Sequence, residues 1–379
     1  MTQLTFWDAA EPATAGKSRD SHAPQRANAD IRVPTTELQV RARKPEPTEI
    51  FVTYWRFAVR RQELFFNKIR HPDAPPWTND PILRHYKFTN AYRASDRVSQ
   101  YLIRRVIYID DDDLRTPQEL FFRIILFKIF NKIATWEALE EAFGEVSWRS
   151  FDRHAYDRVL TDLHSRGMRI YSSAYIMAAG QTQFGHARKH RNHLCLLERM
   201  MHDRLPDRIA QAQPRLGEVY ATLRAYPTIG PFLAYQYAVD LNYSPLLDAS
   251  EDDFVMPGPG ALDGLSKCFH HFGDYDPADV IQWVTDQQEA FFEENGLSFL
   301  ELWGRRLTLI DCQNLFCEVD KYARVAHPDV RGRSNRTRIK QEYRPGGPPL
   351  QYWYPPKWGL NDRIARDPGY RGHVAPVCG

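Results

Sequence analysis

Leu120-Phe-Phe-Arg-Ile-Ile-Leu-Phe-Lys-Ile-Phe130 is apolar on nearly every side, interrupted only by Arg123 and Lys128. A helix without a polar face has to be buried, so this stretch is expected as the central core helix. Outward from it, apolar residues recur at helical spacing over 51–69, 93–109, 117–143, 150–166, 186–204 and 207–225. The same spacing returns near 231–242, 260–272, 277–295 and 305–326. Strand-like alternation is confined to 168–176 and 106–109, and no repeat period is visible. The expected fold class is all-α.

The 379 residues are 43% hydrophobic and 13% aromatic, enough apolar material for one large core or two smaller ones. Net charge is only +2, so a nucleic-acid surface would have to come from local segregation of charge. An ordinary enzyme shares this composition. The five cysteines (Cys195, Cys268, Cys312, Cys317 and Cys378) are odd in number and scattered. They indicate neither a disulfide framework nor a four-thiolate metal site. No apolar run approaches the roughly 20 residues of a membrane span. Met-Thr-Gln-Leu lacks the basic-then-apolar order of a secretion signal, and a reducing, cytoplasmic setting without a membrane is expected.

Residues 8–48 are rich in Ala, Pro, Ser, Thr and charge without apolar periodicity, and 1–48 is expected as a disordered arm. At its tip, Gln3-Leu-Thr-Phe-Trp7 is similar to the peptides by which bacterial DNA enzymes dock into the sliding clamp. Tucking of the same string onto its own domain is the alternative. A helical domain is expected over 49–328 and an irregular basic and aromatic tail over 329–379. Arg331, Arg333, Arg336, Arg338 and Lys340 crowd the start of that tail and suit phosphates. The rings of Tyr352, Trp353, Tyr354 and Trp358 could stack on bases or wrap over the domain.

Tyr226-Pro227-Thr228-Ile229-Gly230 lies between two helix-like segments. The arrangement resembles the helix-hairpin-helix of DNA glycosylases, usually Leu-Pro-Gly-apolar-Gly, with Thr228 in place of the first glycine. Such a turn, capped at Gly230, would aim backbone amides at a DNA phosphate, with Ile229 anchored in the core. The alternative is a plain loop between packed helices. The lysine that strand-cutting members carry just after the hairpin is absent, since Pro231 and Phe232 stand there. A catalytic aspartate would fall about twenty residues further on, where Asp248, Glu251, Asp252 and Asp253 lie. Those acids could equally be a helix N-terminal charge cluster.

Six blocks carry a wider resemblance: Pro76-Trp-Thr-Asn-Asp-Pro-Ile82, Phe88-Thr-Asn-Ala-Tyr-Arg-Ala-Ser-Asp-Arg-Val-Ser-Gln100, Phe127-Lys-Ile-Phe-Asn-Lys132, Ala234-Tyr-Gln-Tyr-Ala-Val-Asp-Leu241, Pro257-Gly-Pro-Gly-Ala261 and Asp311-Cys-Gln-Asn-Leu-Phe-Cys-Glu-Val-Asp-Lys-Tyr322. Over about 50–345 the chain resembles the thymine-hypermodification family. That group embraces the helical domain of 5-hydroxymethyluracil DNA kinases and the α-glutamyl/putrescinyl thymine pyrophosphorylases. The resemblance implies a glycosylase-like helical fold acting on 5-hydroxymethyluracil, or its phosphorylated form, in DNA. It further implies either phosphorylation of the hydroxymethyl group or displacement of pyrophosphate from it by an amine. The co-reactant would be a nucleoside triphosphate with Mg in the first case and an amine donor in the second. No P-loop is present: Gly16-Lys17-Ser18 lacks the upstream glycine and preceding strand.

Chemistry at a base-linked phosphate needs cations, hydrogen-bond donors and a carboxylate. Asp311, Asn314 and Glu318 recur at i, i+3 and i+7, and Lys321 extends that helix face. They are the candidate catalytic residues, joined by Asp252 and Asp253. An exposed salt-bridged face is the bland reading of the same stripe. Gln313, Gln236 and Gln100 are candidates for reading a base edge. Arg93, Asp96, Arg97 and Gln100 form a second stripe in which an aspartate would orient Arg93 and Arg97 toward phosphate, unless it is a surface ion-pair ladder. His186, His190 and His193 have spacing that could suit a metal, but the interleaved Arg188, Lys189 and Arg191 argue against one. No metal ligand set is assigned. Lys189 and His190 suit a phosphate-facing helix, and with Thr228, Gly230, Arg93, Arg97, Arg333 and Arg336 they complete the candidate DNA contacts. Two further readings stand beside a base-modifying transferase or kinase. One is a monofunctional glycosylase excising a modified thymine; the other is a non-catalytic module that binds modified DNA.

Overall fold

The computed structural model describes residues 41–344 and 350–370. Helix α1 (Glu49–Arg70) starts where the Thr48 hydroxyl accepts from the Ile50 amide, and its apolar face supplies Phe51, Tyr54, Trp55 and Phe65 to the core. Two short helices follow, α2 (Pro81–His85) and α3 (Arg97–Tyr101). Then come α4 (Pro117–Phe130), α5 (Ile133–Phe143), α6 (Arg153–Ser165), α7 (Gln181–Phe184), α8 (Lys189–His202) and α9 (Leu205–Ala212). The second half holds α10 (Leu216–Arg224), α11 (Pro231–Asn242), α12 (Pro259–Cys268), α13 (Pro277–Asp286), α14 (Gln288–Glu294), α15 (Leu309–Ala326) and α16 (Asn361–Ala365). Strands among the described residues are limited to β1 (Glu46–Pro47), antiparallel to β2 (Phe269–His271). The all-helical expectation holds. No helix among the described residues is long and apolar enough to cross a membrane.

The apolar stretch that opened the sequence becomes α4, with every residue from Glu119 to Phe130 buried. It packs against α8, α9 and α11. Around α15 a second group gathers, formed by α1, α12 and α13. Helices α12 and α15 approach unusually closely. A Cβ on Gly264 would lie 1.9 Å from the Phe316 carbonyl oxygen, and one on Gly260 would lie 2.3 Å from Cys317 Sγ. Only glycine permits that contact.

Several helices are shorter than their periodicity predicts, each for a local reason. The expected helix over 117–143 breaks at Asn131, whose left-handed backbone (φ 47°) ends α4 before Lys132 turns extended. Pro214 and the left-handed Gln213 divide 207–225 into α9 and α10. The 93–109 stretch is three pieces: a 3₁₀ turn at Arg93–Ser95, α3, and a π turn at Leu102–Ile107. Between the first two, Asp96 takes extended backbone and its carboxylate accepts from the Asn90 amide. Its four polar residues therefore do not form one helical stripe. Residues 260–272 stop being helical at Cys268 and end in β2, and 277–295 splits at Gln287 into α13 and α14. The 168–176 segment is irregular, and 106–109 leaves the π turn without becoming a strand.

The expected arm ends earlier than residue 48. Arg41 and Arg43 pair with Asp279 and Asp274, and β1 joins the sheet, so residues 41–48 are ordered. The Gln3–Trp7 string and Gly16-Lys17-Ser18 lie outside the described residues. In the tail, Tyr354 is fully buried with its hydroxyl 2.8 Å from Ser95 Oγ, and Leu360 and Ile364 are buried too. The Trp353 amide donates to Gln100 Oε1 at 3.0 Å. Residues 350–370 thus wrap over the domain.

Candidate functional site

The two helical groups meet at a cleft of about 170 Å³. Helix α15 forms one side with Gln313, Asn314, Glu318 and Lys321, and the start of α11 faces it with Phe232 and Gln236. The Lys87–Thr89 loop and Arg93 close one end, and Ser173–Tyr175 form the rim. Gly258 brings the chain before α12 against this space, since a Cβ there would sit 2.8 Å from the Phe232 ring and 3.7 Å from Gln313 Nε2.

Glu318 and Lys321 are both buried, and Lys321 Nζ donates to Glu318 Oε2 at 2.8 Å. The same oxygen accepts from the Thr89 amide at 3.0 Å. Asn314 Nδ2 donates to Thr89 Oγ1 at 3.0 Å, and Lys321 Nζ stands 4.5 Å from the Phe88 ring centre. A buried ion pair is worth little to stability when its partners could be apolar, so its position beside a cleft is the informative feature. The Gln313 amide has no hydrogen-bond partner among the described residues. Across the cleft the rings of Tyr175 and Phe232 stack at 5.5 Å with their planes 16° apart. Tyr175 holds a left-handed backbone (φ 59°), uncommon for a bulky residue.

Behind this wall lies a charged triad. Arg93 donates from Nη1 and Nη2 to the two carboxylate oxygens of Asp240, at 2.8 and 3.0 Å, and from Nε to Gln236 Oε1 at 3.0 Å. Lys128 Nζ reaches Asp240 Oδ2 at 3.1 Å and lies 4.5 Å from the Tyr175 ring centre. Burial alone would weaken the Arg93 charge, yet Asp240 holds it protonated well above the ordinary range. Burial would likewise raise the Asp240 pKa, but Arg93 and Lys128 outweigh it and the carboxyl stays below its usual value. Lys128 is pushed down to about 8 by burial, against the pull of Asp240 and with the added repulsion of Arg93. The two cations differ because Arg93 engages both oxygens and Lys128 only one. Tyr175 also donates to Gln236 Oε1, at 3.2 Å. With that oxygen occupied twice, Gln236 has only its NH₂ group to offer a ligand, and an NH₂ group reads a carbonyl.

The cleft therefore gathers Asn314, Glu318, Lys321, Gln313, Gln236 and Arg93 from the residues singled out in the sequence. Asp311 shares the helix but does not line the cleft. Its Oδ1 accepts from the Arg93 amide at 2.8 Å and its Oδ2 from the Thr308 amide and hydroxyl, so it caps α15 and fixes the Arg93 backbone. Burial pushes the Asp311 carboxyl up to about 6. Asp252 and Asp253 also lie outside the cleft: Asp252 accepts from the Leu309 amide at 3.3 Å, and Asp253 stands 3.6 Å from Arg215. Gln100 is buried, donating to the Ala94 carbonyl and accepting from Trp353, while Arg97 opens α3 away from the cleft.

Thr228 and Gly230 form the turn between α10 and α11, and Thr228 has the left-handed backbone (φ 68°) that glycine favours. Gly230 precedes α11 and supplies no side-chain cap to it. Lys189 and His190 lie in a neighbouring groove, where His190 Nε2 meets Asp157 Oδ1 at 2.9 Å and Thr161 Oγ1 at 3.0 Å. Arg333 is exposed and Arg336 half-buried in an irregular segment tied down by Ser334, whose amide donates to Asp263 Oδ1 at 2.8 Å. Sequence reasoning did not single out Phe88 or Tyr175, nor Phe232 as a wall of the site. Only Phe232 carried a signal, its place two residues past the hairpin glycine.

A family model described as "5-hmdU DNA kinase, helical domain" matches residues 48–332. The 5-hmdU DNA kinase of Bacillus phage SP10 is 24% identical over 306 residues, which cover 77% of this chain and 48% of that relative. The chain spans about half the length of the relative it matches. No solved structure matches. With the match running from the cap of α1 to beyond the end of α15, the chain belongs to the family of the 5-hmdU DNA kinase helical domain.

Proposed function

We propose that this chain is a DNA base-hypermodifying enzyme that receives 5-hydroxymethyluracil, or its phosphorylated form, extruded from DNA into the cleft between α11 and α15. The carrying observation is the meeting, in one small cleft, of an aromatic wall and a buried Glu318–Lys321 pair. An extruded base stacks on aromatic rings and is read along its polar edge. Tyr175 and Phe232 supply the ring surface, and the NH₂ groups of Gln236 and Gln313 suit the uracil carbonyls. Glu318 is positioned to take the proton of the hydroxymethyl oxygen as that oxygen attacks phosphorus, while Lys321 balances the developing negative charge. In the kinase reaction the incoming group is phosphoryl, from a nucleoside triphosphate with Mg. In the alternative reaction the base enters already pyrophosphorylated: an amine forms a C–N bond at its methylene carbon, the C–O bond breaks, pyrophosphate leaves, and the amine gives up a proton.

On this reading the Tyr226–Gly230 turn works as a helix-hairpin-helix, presenting the start of α11 to a phosphate beside the target. The left-handed backbone of Thr228, at the position where glycosylases carry glycine, supports it. Arg333 and Arg336 are further phosphate contacts in this scheme. Excision by Asp252 or Asp253 has less support, because both carboxylates are engaged outside the cleft. The test is mass spectrometry of nucleosides from DNA carrying 5-hydroxymethyluracil, and from DNA carrying its pyrophosphorylated form, each incubated with the protein, ATP and candidate amines. A new, heavier thymine nucleoside that disappears with Glu318→Gln is expected. An unchanged digest overturns the enzymatic reading and favours a non-catalytic module.

A further inference from the structure

Beside the cleft, and sharing Ser173 with it, runs a groove of about 1140 Å³ between the start of α5, the 167–176 segment and the start of α8. Its walls carry Lys132, Arg169, Arg188 and Lys189 and no carboxylate. In a chain of net charge +2, that is a marked local segregation. Nearby, Arg153 and Arg166 of α6 and its C-terminal cap pair with Glu198 and Asp162, and Arg191 of α8 pairs with Asp157. Lys132, Arg188 and Lys189 make no ion pair among the described residues. Lys132 instead donates to the Arg169 carbonyl, and Lys189 rests 4.6 Å from the Tyr171 ring centre. Burial lowers the pKa of both lysines, and Arg169 adds to the effect on Lys132.

Apolar surface lies in the same groove. Met168 and Ile176 are two of only four large hydrophobic residues that are exposed among the described residues, and both line it. Lys132, Arg188 and Lys189, without ion pairs among the described residues and set beside exposed apolar side chains, match a ligand that alternates anionic and apolar parts. A nucleic-acid strand does so at every nucleotide.

We infer that this groove is the track of the DNA strand flanking the target nucleotide. Lys132, Arg188 and Lys189 take its phosphates, and Met168 and Ile176 take its sugar and base faces. The inference rests on the proposed function and extends it: the 168–176 segment divides strand from target, with Ile176 on the groove side and Tyr175 on the cleft side. A phosphate track should reveal itself in salt dependence, because each cation engaged releases counterions.

The test measures affinity of the full chain for single-stranded and duplex 5-hydroxymethyluracil oligonucleotides by fluorescence anisotropy over a range of salt. Lys132→Gln, Arg188→Gln and Lys189→Gln, singly and together, should lower affinity several-fold each. The log–log salt slope should become shallower by about 0.7 per cation on single strands or about 0.9 on duplex, which tells the two forms apart. Lys132→Arg and Lys189→Arg should restore both. Phe232→Ala should weaken binding of the modified base without changing the slope, so cleft and groove fail separately. Unchanged affinity and slope in the triple variant, with Phe232→Ala still impaired, overturns the track and leaves the cleft reading intact. Competition by polyglutamate as effective as by DNA also overturns it, since the groove would then suit an acidic polypeptide.

Discussion

Arg93 and Asp240, 147 residues apart in the chain, meet as a two-pronged ion pair in which both side chains are buried. The pair joins the turn before α3 to the last turn of α11, and through Gln236 it sets one wall of the cleft. Removing the carboxylate would strand two buried cations, Arg93 and Lys128.

Asp240→Ala is expected to cost about 3–5 kcal/mol of folding stability, the range for breaking a buried pair by deleting one partner. Arg93→Met combined with Asp240→Leu should cost clearly less than the sum of the single changes. Urea unfolding of the three variants measures this, and additive losses would contradict it.

The contact between α12 and α15 discriminates between two glycines. Gly264→Ala drives a Cβ into the Phe316 backbone, which cannot move aside, and should cost about 3 kcal/mol or more. Gly260→Ala meets the Cys317 thiol, a side chain able to turn away, and should cost about 1 kcal/mol. Because Gly260 and Cys317 line the cleft, the milder variant should lose more base binding than stability. Thermal melts alongside ligand titration would separate these effects.

Thr228 has a left-handed backbone and a buried hydroxyl without a hydrogen-bond partner among the described residues. Both features are unfavourable, the backbone by about 1 kcal/mol. Thr228→Gly should therefore stabilise the protein by about that amount. A lowered denaturation midpoint would show that the Thr228 methyl, packed near Gly180, contributes more than the strain removes.

His193 links pH to the cleft rim. Its Nε2 donates to the Ala178 carbonyl at 2.8 Å and its Nδ1 accepts from the Tyr171 hydroxyl at 2.9 Å, which describes a neutral ring. Burial lowers its pKa to about 4 from an ordinary value near 6.5. Below about pH 6.5 the unfolded chain binds a proton that the folded chain does not, so this contribution falls as pH drops toward 4 and is intact above 6.5. The protection of amides across 171–180, taken relative to the intrinsic exchange rate at each pH, should be lower at pH 5 than at pH 7.5. His193→Gln, which keeps the donor but cannot take up a proton, should flatten that difference.

The aromatic wall can be tested apart from the charges. Tyr175→Ala and Phe232→Ala should each weaken binding of 5-hydroxymethyluracil DNA by about 1–3 kcal/mol, the scale of base–aromatic stacking. Their melting behaviour should stay near that of the parent for Phe232, which is half-buried at the start of α11. Equal affinity of both variants and parent would remove the base from this cleft.

What the sequence determined alone is what repeats locally. The helical class, the burial of α4 and the polar stripe of α15 follow from residues a few positions apart, because helical geometry places i, i+3, i+4 and i+7 on one face. Asn314, Glu318 and Lys321 were legible for that reason, and the six motif blocks pointed to the family. Tertiary structure decided everything that depends on a distant partner. Asp311 looks like a fourth member of its stripe until Thr308 and the Arg93 amide claim both its oxygens. Arg93 looks like a surface cation until Asp240 arrives from α11. Tyr175 sits in a stretch whose alternation suggests a strand, and only the packing of what is in fact an irregular segment against α8 and α11 turns its ring toward the cleft. A charge or ring has a role only relative to what desolvates and pairs it, and that neighbour is set by the fold rather than by spacing along the chain.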